Sequence, residues 1–146
     1  MNLPPDEKLT RFIFDRDGFA PCKGIVRFKA FMPPKVSKGP PIVYSPDLSV
    51  CRRSVISGCG VLPEDKVWEI GLTHVHRPGR RLKARADFTV GDIYENNLQV
   101  VPDPQPFKEH ANITPFPPDE LGCLRLATKL AHVSKLEIMP PAQTDS

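Results

Sequence analysis

A chain of 146 residues with a net charge of +3 has the length of one domain and can bury a core without disulfide staples. No apolar run approaches the ~20 residues that a bilayer-spanning helix needs. The opening stretch, Met1–Lys8, lacks the charged and apolar regions of a secretory signal. No membrane partner is therefore expected, and a cytoplasmic location with reduced cysteines is.

Proline sets the layout. Eighteen prolines are more than twice the usual ~5%. Each fixes φ and removes a backbone donor, so helices and strands must be short and joined by stiff loops. Residues 1–9 read as a loose leader. Arg11–Phe14 reads as a short strand ending in the turn signal Asp15-Arg16-Asp17-Gly18. Gly24–Met32 alternates, with Val26, Phe28, Ala30 and Met32 on one side and Arg27 and Lys29 on the other, the pattern of a half-buried strand. These two strands would form a hairpin.

Pro33–Pro46 is a long loop, followed by a strand over Asp47–Arg53 and a Ser-Gly-Cys-Gly turn. Leu62–Gly71 reads as a helix: Pro63 suits its first position, Glu64 and Asp65 complement its dipole, and Gly71 can stop it. A strand over Val67–His76 is the alternative. Leu82–Phe88 alternates as a strand, with Leu82, Ala84, Ala86 and Phe88 inward.

Thr89 caps a brief helix over Val90–Asn96, with Asp92 at its third position and Asn97 as a left-handed stop. Leu98–Val101 is a further strand, and residues 102–118 are a proline-rich loop. Asp119 caps the longest helix, reaching Val133, with Leu121, Leu124, Leu126, Leu130 and Val133 as its apolar positions. Residues 140–146 read as a disordered tail. Short strands mixed with short helices, without βα alternation, predict a single α+β domain over residues 10–139, with a small, mostly antiparallel sheet.

Charge is uneven. Residues 20–85 carry thirteen Lys/Arg against four Asp/Glu, and residues 86–146 carry four against nine. The basic excess centres on Thr73–Arg85, which holds His74, His76 and five basic residues with no acid. If Arg81, Lys83 and Arg85 leave the Pro78-Gly79 turn on a strand, they share a face at a spacing near that of successive phosphates. Arg77 and Arg80 would join them, and Arg27, Lys29, Arg52 and Arg53 would extend the patch. The leading expectation is thus a module that binds nucleic acid or another polyanion.

Histidine supplies a second expectation. His110 lies with Asn112 in the proline-rich loop. Together with His74 or His76 it would give acid–base groups for cleaving a phosphodiester without a metal, and a nearby Arg would stabilise the developing charge. His74-Val75-His76 offers at most two ligands to a metal. The cysteines lack a zinc-type spacing, so neither a metal nor a cofactor is expected. Cys51 beside Arg52 and Arg53 reads as a small buried hydrophobe rather than an activated thiolate. The third expectation is an accessory domain that binds a protein partner through its proline-rich loops.

Overall fold

The computed structural model of the chain describes residues 3–53, 60–75 and 79–140. The expected architecture holds: one α+β domain around an antiparallel sheet. Among the described residues eight strands form, β1 (Lys8–Ile13), β2 (Phe19–Ala20), β3 (Ile25–Val26), β4 (Leu48–Arg52), β5 (Ala84–Thr89), β6 (Gln99–Pro102), β7 (His110–Thr114) and β8 (Lys135–Ile138). The helices are α1 (Glu64–Thr73), α2 (Val90–Tyr94) and α3 (Glu120–Val133). Six strands make the main sheet in the order β6-β7-β4-β1-β5-β8, and β2 and β3 make a separate small hairpin.

Strand alternation divides the core into two layers. Leu9 and Ile13 of β1, Leu48 and Val50 of β4, and Ala84, Ala86 and Phe88 of β5 belong to one cluster with Phe31, Ile93, Cys123, Ala127 and Leu130. Phe12, Cys51, Leu82 and Phe107 belong to the other, with Val67, Trp68 and Ile70 of α1. One face of the sheet is thus covered by α3, α2 and a 3₁₀ turn over Phe28–Phe31, and the other by α1.

Several expectations are corrected. Gly24–Met32 is not one strand: pairing ends at Val26, and Phe28–Phe31 winds into the 3₁₀ turn. Its inward Ala30 and Phe31 satisfy the core as adjacent residues. The first strand begins at Lys8, and Leu3 and Glu7 are buried, so residues 3–9 pack as part of the domain. Gly71 does not stop α1; it lies inside the helix, where a Cβ would come within 2.7 Å of the Phe12 ring. The buried stripe of α3 is Cys123, Ala127, Leu130 and Ala131, while Leu121 and Val133 are exposed. Small side chains let that helix sit close to the layer beneath it.

Two strands are unexpected: β7 lies within residues 102–118, read as a loop, and β8 follows α3 in residues to which no element is assigned. The helix caps agree with expectation. Thr89 and Asp92 form a reciprocal capping box on α2, and Asp119 accepts from the Gly122 amide on α3. Asn97 has φ of 60°. Apart from Pro140, the expected tail over 140–146 lies outside the described residues, as does most of the turn after Arg53.

Candidate functional site

The site is set by a failure of pairing. β1 pairs with β5 along its full length, Lys8 to Ile13. β4 pairs with β7 from Leu48 to Cys51. Between them, β1 and β4 pair only at Leu9↔Arg52 and Thr10↔Cys51. Beyond that point the two central strands are not paired. Arg11 lies on the inward-facing phase of β1, between Leu9 and Ile13. Its Nη1 donates to the Ser49 carbonyl at 2.8 Å, and its Nε donates to the Ala30 carbonyl at 3.0 Å. A guanidinium thus fills the place of the missing ladder.

On the α1 face, this gap opens into a cleft of about 180 Å³ lined by Arg11, Phe12, Ser49, His74, Phe107 and His110, among others. His74 caps the carboxy end of α1 and is exposed. His110 opens β7 opposite Cys51 and is buried. Phe107 stands between them. Its ring stacks on His74 with centroids 5.8 Å apart, and meets His110 edge-on at 5.4 Å.

The loop joining β6 to β7 fixes His110 firmly. The Asp103 amide donates to the His110 carbonyl at 3.0 Å. In return, His110 Nδ1 lies 2.9 Å from the Asp103 carbonyl. A carbonyl only accepts, so Nδ1 carries the hydrogen of this bond, and in the neutral ring Nε2 is the acceptor.

The expected basic face is largely taken apart. Arg85 is 1% exposed. It bonds both Glu64 and Asp87 and lies 4.8 Å over the Trp68 ring. Arg53 is also buried and bonds the same two acids. Arg52 makes a bidentate pair with buried Glu7. Lys83 turns its Nζ onto the Phe14 carbonyl at 2.8 Å. β5 is the second strand from the sheet edge, with α1 over this face, so alternation points Arg85 and Asp87 under a helix rather than into solvent.

Arg27, Lys29, Arg80 and Arg81 remain exposed. Lys29 pairs with Asp17 and Arg80 pairs with Asp15. His76 and Arg77 lie outside the described residues. The strand alternative for Val67–His76 is overturned, because α1 runs to Thr73.

Cys51 is fully buried. Desolvation pushes its thiol up to about 12, with a further push from nearby Glu109. Its burial fits the reading as a small hydrophobe. Among the described residues, no three His, Cys, Asp or Glu side chains gather where they could hold a metal ion. Among them, no helix is long and apolar enough to cross a membrane.

Arg11, Phe107 and Ser49 were not singled out by the sequence. One signal was there for Arg11: a charge at the inward phase of an apolar strand, between Leu9 and Ile13. No family model matches this chain, and no curated protein or solved structure matches it either.

Proposed function

We propose that the chain is a small enzyme that cleaves a phosphodiester by acid–base catalysis, with His110 and His74 as the proton-transfer pair and Arg11 as the fixed positive charge. The observation that carries this reading is convergence. His74 and His110 come from a helix end and a strand start, and both contact Phe107 at a cleft that Arg11 also borders. The locked tautomer of His110 suits it as the base.

The reaction follows from those roles. His110 Nε2 removes the proton from a ribose 2′-hydroxyl. The oxygen attacks the adjacent phosphorus, and the bond from phosphorus to the leaving oxygen breaks. Protonated His74 gives its proton to that oxygen. The products are a 2′,3′-cyclic phosphate and a free alcohol. Arg11, at the border of the cleft, supplies the positive charge that offsets the charge building on the phosphoryl oxygens. The unbridged thiols of Cys22, Cys51 and Cys123 support a cytoplasmic setting for this activity.

The test is direct. The full chain is incubated with RNA dinucleoside monophosphates, and cyclic phosphate is followed by ³¹P NMR. His110→Ala and His74→Ala should each slow the reaction by roughly 100-fold or more. Absence of product across all base combinations would sink the reading.

Nucleic-acid binding through residues 77–85 loses support, since Arg85 is buried and Lys83 is engaged with backbone. Phosphate recognition moves from that segment to Arg11.

A further inference from the structure

The two outer strands of the main sheet end it differently. On β6 the Asp103 amide donates to the His110 carbonyl at 3.0 Å, which sets the phase. Gln99 and Val101 turn their backbone groups to β7, and Val100 and Pro102 turn theirs outward. Pro102 has no N–H to offer, a common way of closing a sheet edge. On β8 the Met139 amide donates to the Lys83 carbonyl at 3.0 Å. Lys135 and Glu137 therefore turn to β5, and the N–H and C=O of Leu136 and Ile138 point away from the sheet. No proline interrupts β8. Among the described residues no backbone group pairs with this edge. β3 lies near β8, yet it pairs with β2 alone.

The side chains of β8 fit a copy of themselves. Lys135 and Glu137 share one face, with Nζ and Oε1 3.4 Å apart. An antiparallel copy placed with Leu136 opposite Leu136 sets each Lys135 opposite the copy's Glu137. That register is two-fold symmetric, so every contact is made twice. It also matches the backbone phase. The two Leu136 residues exchange a pair of N–H···O bonds, and each Ile138 amide meets the copy's Ser134 carbonyl. Ser134 is already extended, with φ of −86° and ψ of 156°. Lys135 and Glu137 then fall at the non-hydrogen-bonded positions, where facing side chains come closest. Sliding the copy by two residues in either direction would set Glu137 against Glu137 or Lys135 against Lys135. Ile138, 47% exposed, becomes the diagonal neighbour of the copy's Leu136.

We infer that β8 pairs antiparallel with β8 of a second copy of this chain, centred on Leu136, so that the two main sheets run on as one. The inference is independent of the acid–base reading. A strand of four residues makes a small interface. Interfaces of ~1,600 Å² span μM to pM affinity, and this dimer belongs at or beyond the weak end of that range.

The experiment is sedimentation velocity of the full chain over a concentration series reaching millimolar protein, where the sedimentation coefficient should rise from monomer to dimer. Glu137→Lys sets lysine against lysine, and Lys135→Glu sets glutamate against glutamate. Each variant alone should raise the dissociation constant roughly 10-fold or more. An equal mixture of the two restores every opposite-charge pair and should dimerise as the unaltered chain does. Circular dichroism checks that both variants fold.

Amide hydrogen exchange of the unaltered chain gives a reading that needs no variant. Leu136 and Ile138 should exchange quickly when dilute and slow down as concentration rises, while Glu137, bonded to β5, stays slow throughout. Four results would each overturn the inference: a chain monomeric at every concentration, a dimer indifferent to both variants, a mixture of variants that stays monomeric, or exchange at Leu136 and Ile138 that ignores concentration.

Discussion

Arg11 on β1 donates to the Ser49 carbonyl on β4 across a gap that the strand ladder does not close. A side chain here does the work of a backbone pair, and it brings a charge with it. Replacing Arg11 by Met keeps the apolar stem and removes both hydrogen bonds, leaving the Ser49 and Ala30 carbonyls short of a donor. A loss of about 1–3 kcal/mol is expected, read as a lower urea midpoint. Arg11→Lys should recover part of the stability but not the turnover, because an ammonium cannot hold both carbonyls in the same planar geometry.

The network under α1 predicts an acid-sensitive helix. Glu64 is itself 66% exposed, yet it faces Arg85 at 1% and Arg53 at 7%. The hydrogen bond from Arg85 holds its carboxyl below the usual range, outweighing the opposing effect of partial burial. A depressed carboxylate contributes stability that is present above its unfolded-state pKa and lost as pH falls through the folded-state value. Glu64→Gln should therefore cost about 1 kcal/mol near neutrality, after allowance for its exposure. The difference from the unaltered chain should shrink in acid. Urea melts at a series of pH values check this; a constant difference down to the acid limb would argue against it.

Gly71 gives a case where two effects oppose each other. Alanine favours a helix interior by about 1 kcal/mol over glycine. Here the added Cβ would meet the Phe12 ring at 2.7 Å and Leu82 at 2.8 Å. Overpacking of that kind costs about 1–3 kcal/mol, and the two rigid neighbours have little room to shift. Gly71→Ala should be destabilising on balance, with Phe12, a wall of the histidine cleft, displaced. A stabilised variant in thermal unfolding would show that α1 is more loosely seated than the contacts indicate.

Cysteine labelling offers a simple check of burial. Cys22 is exposed on the β2–β3 connection, while Cys51 and Cys123 are buried. Burial raises both of those thiols, Cys51 to about 12. Peptide mapping after brief alkylation at pH 8 should find Cys22 modified, and Cys51 and Cys123 modified only after denaturation. Fast labelling of Cys51 would contradict the packing of β4 under α1.

Local chemistry made much of the layout readable. The capping box at Thr89 and Asp92, the Asp119 cap, the acids after Pro63 and the alternation of Ala84 to Phe88 each encode their element within a few residues, whereas Leu82 precedes β5 and packs in the other layer. What failed was partnership over distance. Nothing near His110 announces that it pairs with Cys51, and the prolines on both sides mask a strand of five residues. Alternation showed that Arg85 faces away from Ala84 and Ala86, but not that α1 covers that side. The basic segment therefore reads as a surface, although Arg85 belongs to an internal ion network with Glu64 and Asp87 and Lys83 is turned onto backbone carbonyls. The histidines were legible as candidates, and their meeting at Phe107 was not, because it depends on how a helix end and a hairpin loop pack.

The most direct test of the central claim is the rate of cyclic phosphate formation from an RNA dinucleoside monophosphate by the full chain and by His110→Ala, with circular dichroism confirming that the variant is folded. The account predicts measurable turnover by the unaltered chain, reduced roughly 100-fold or more in the folded variant. Equal turnover by both proteins, or none by the unaltered chain, would contradict it.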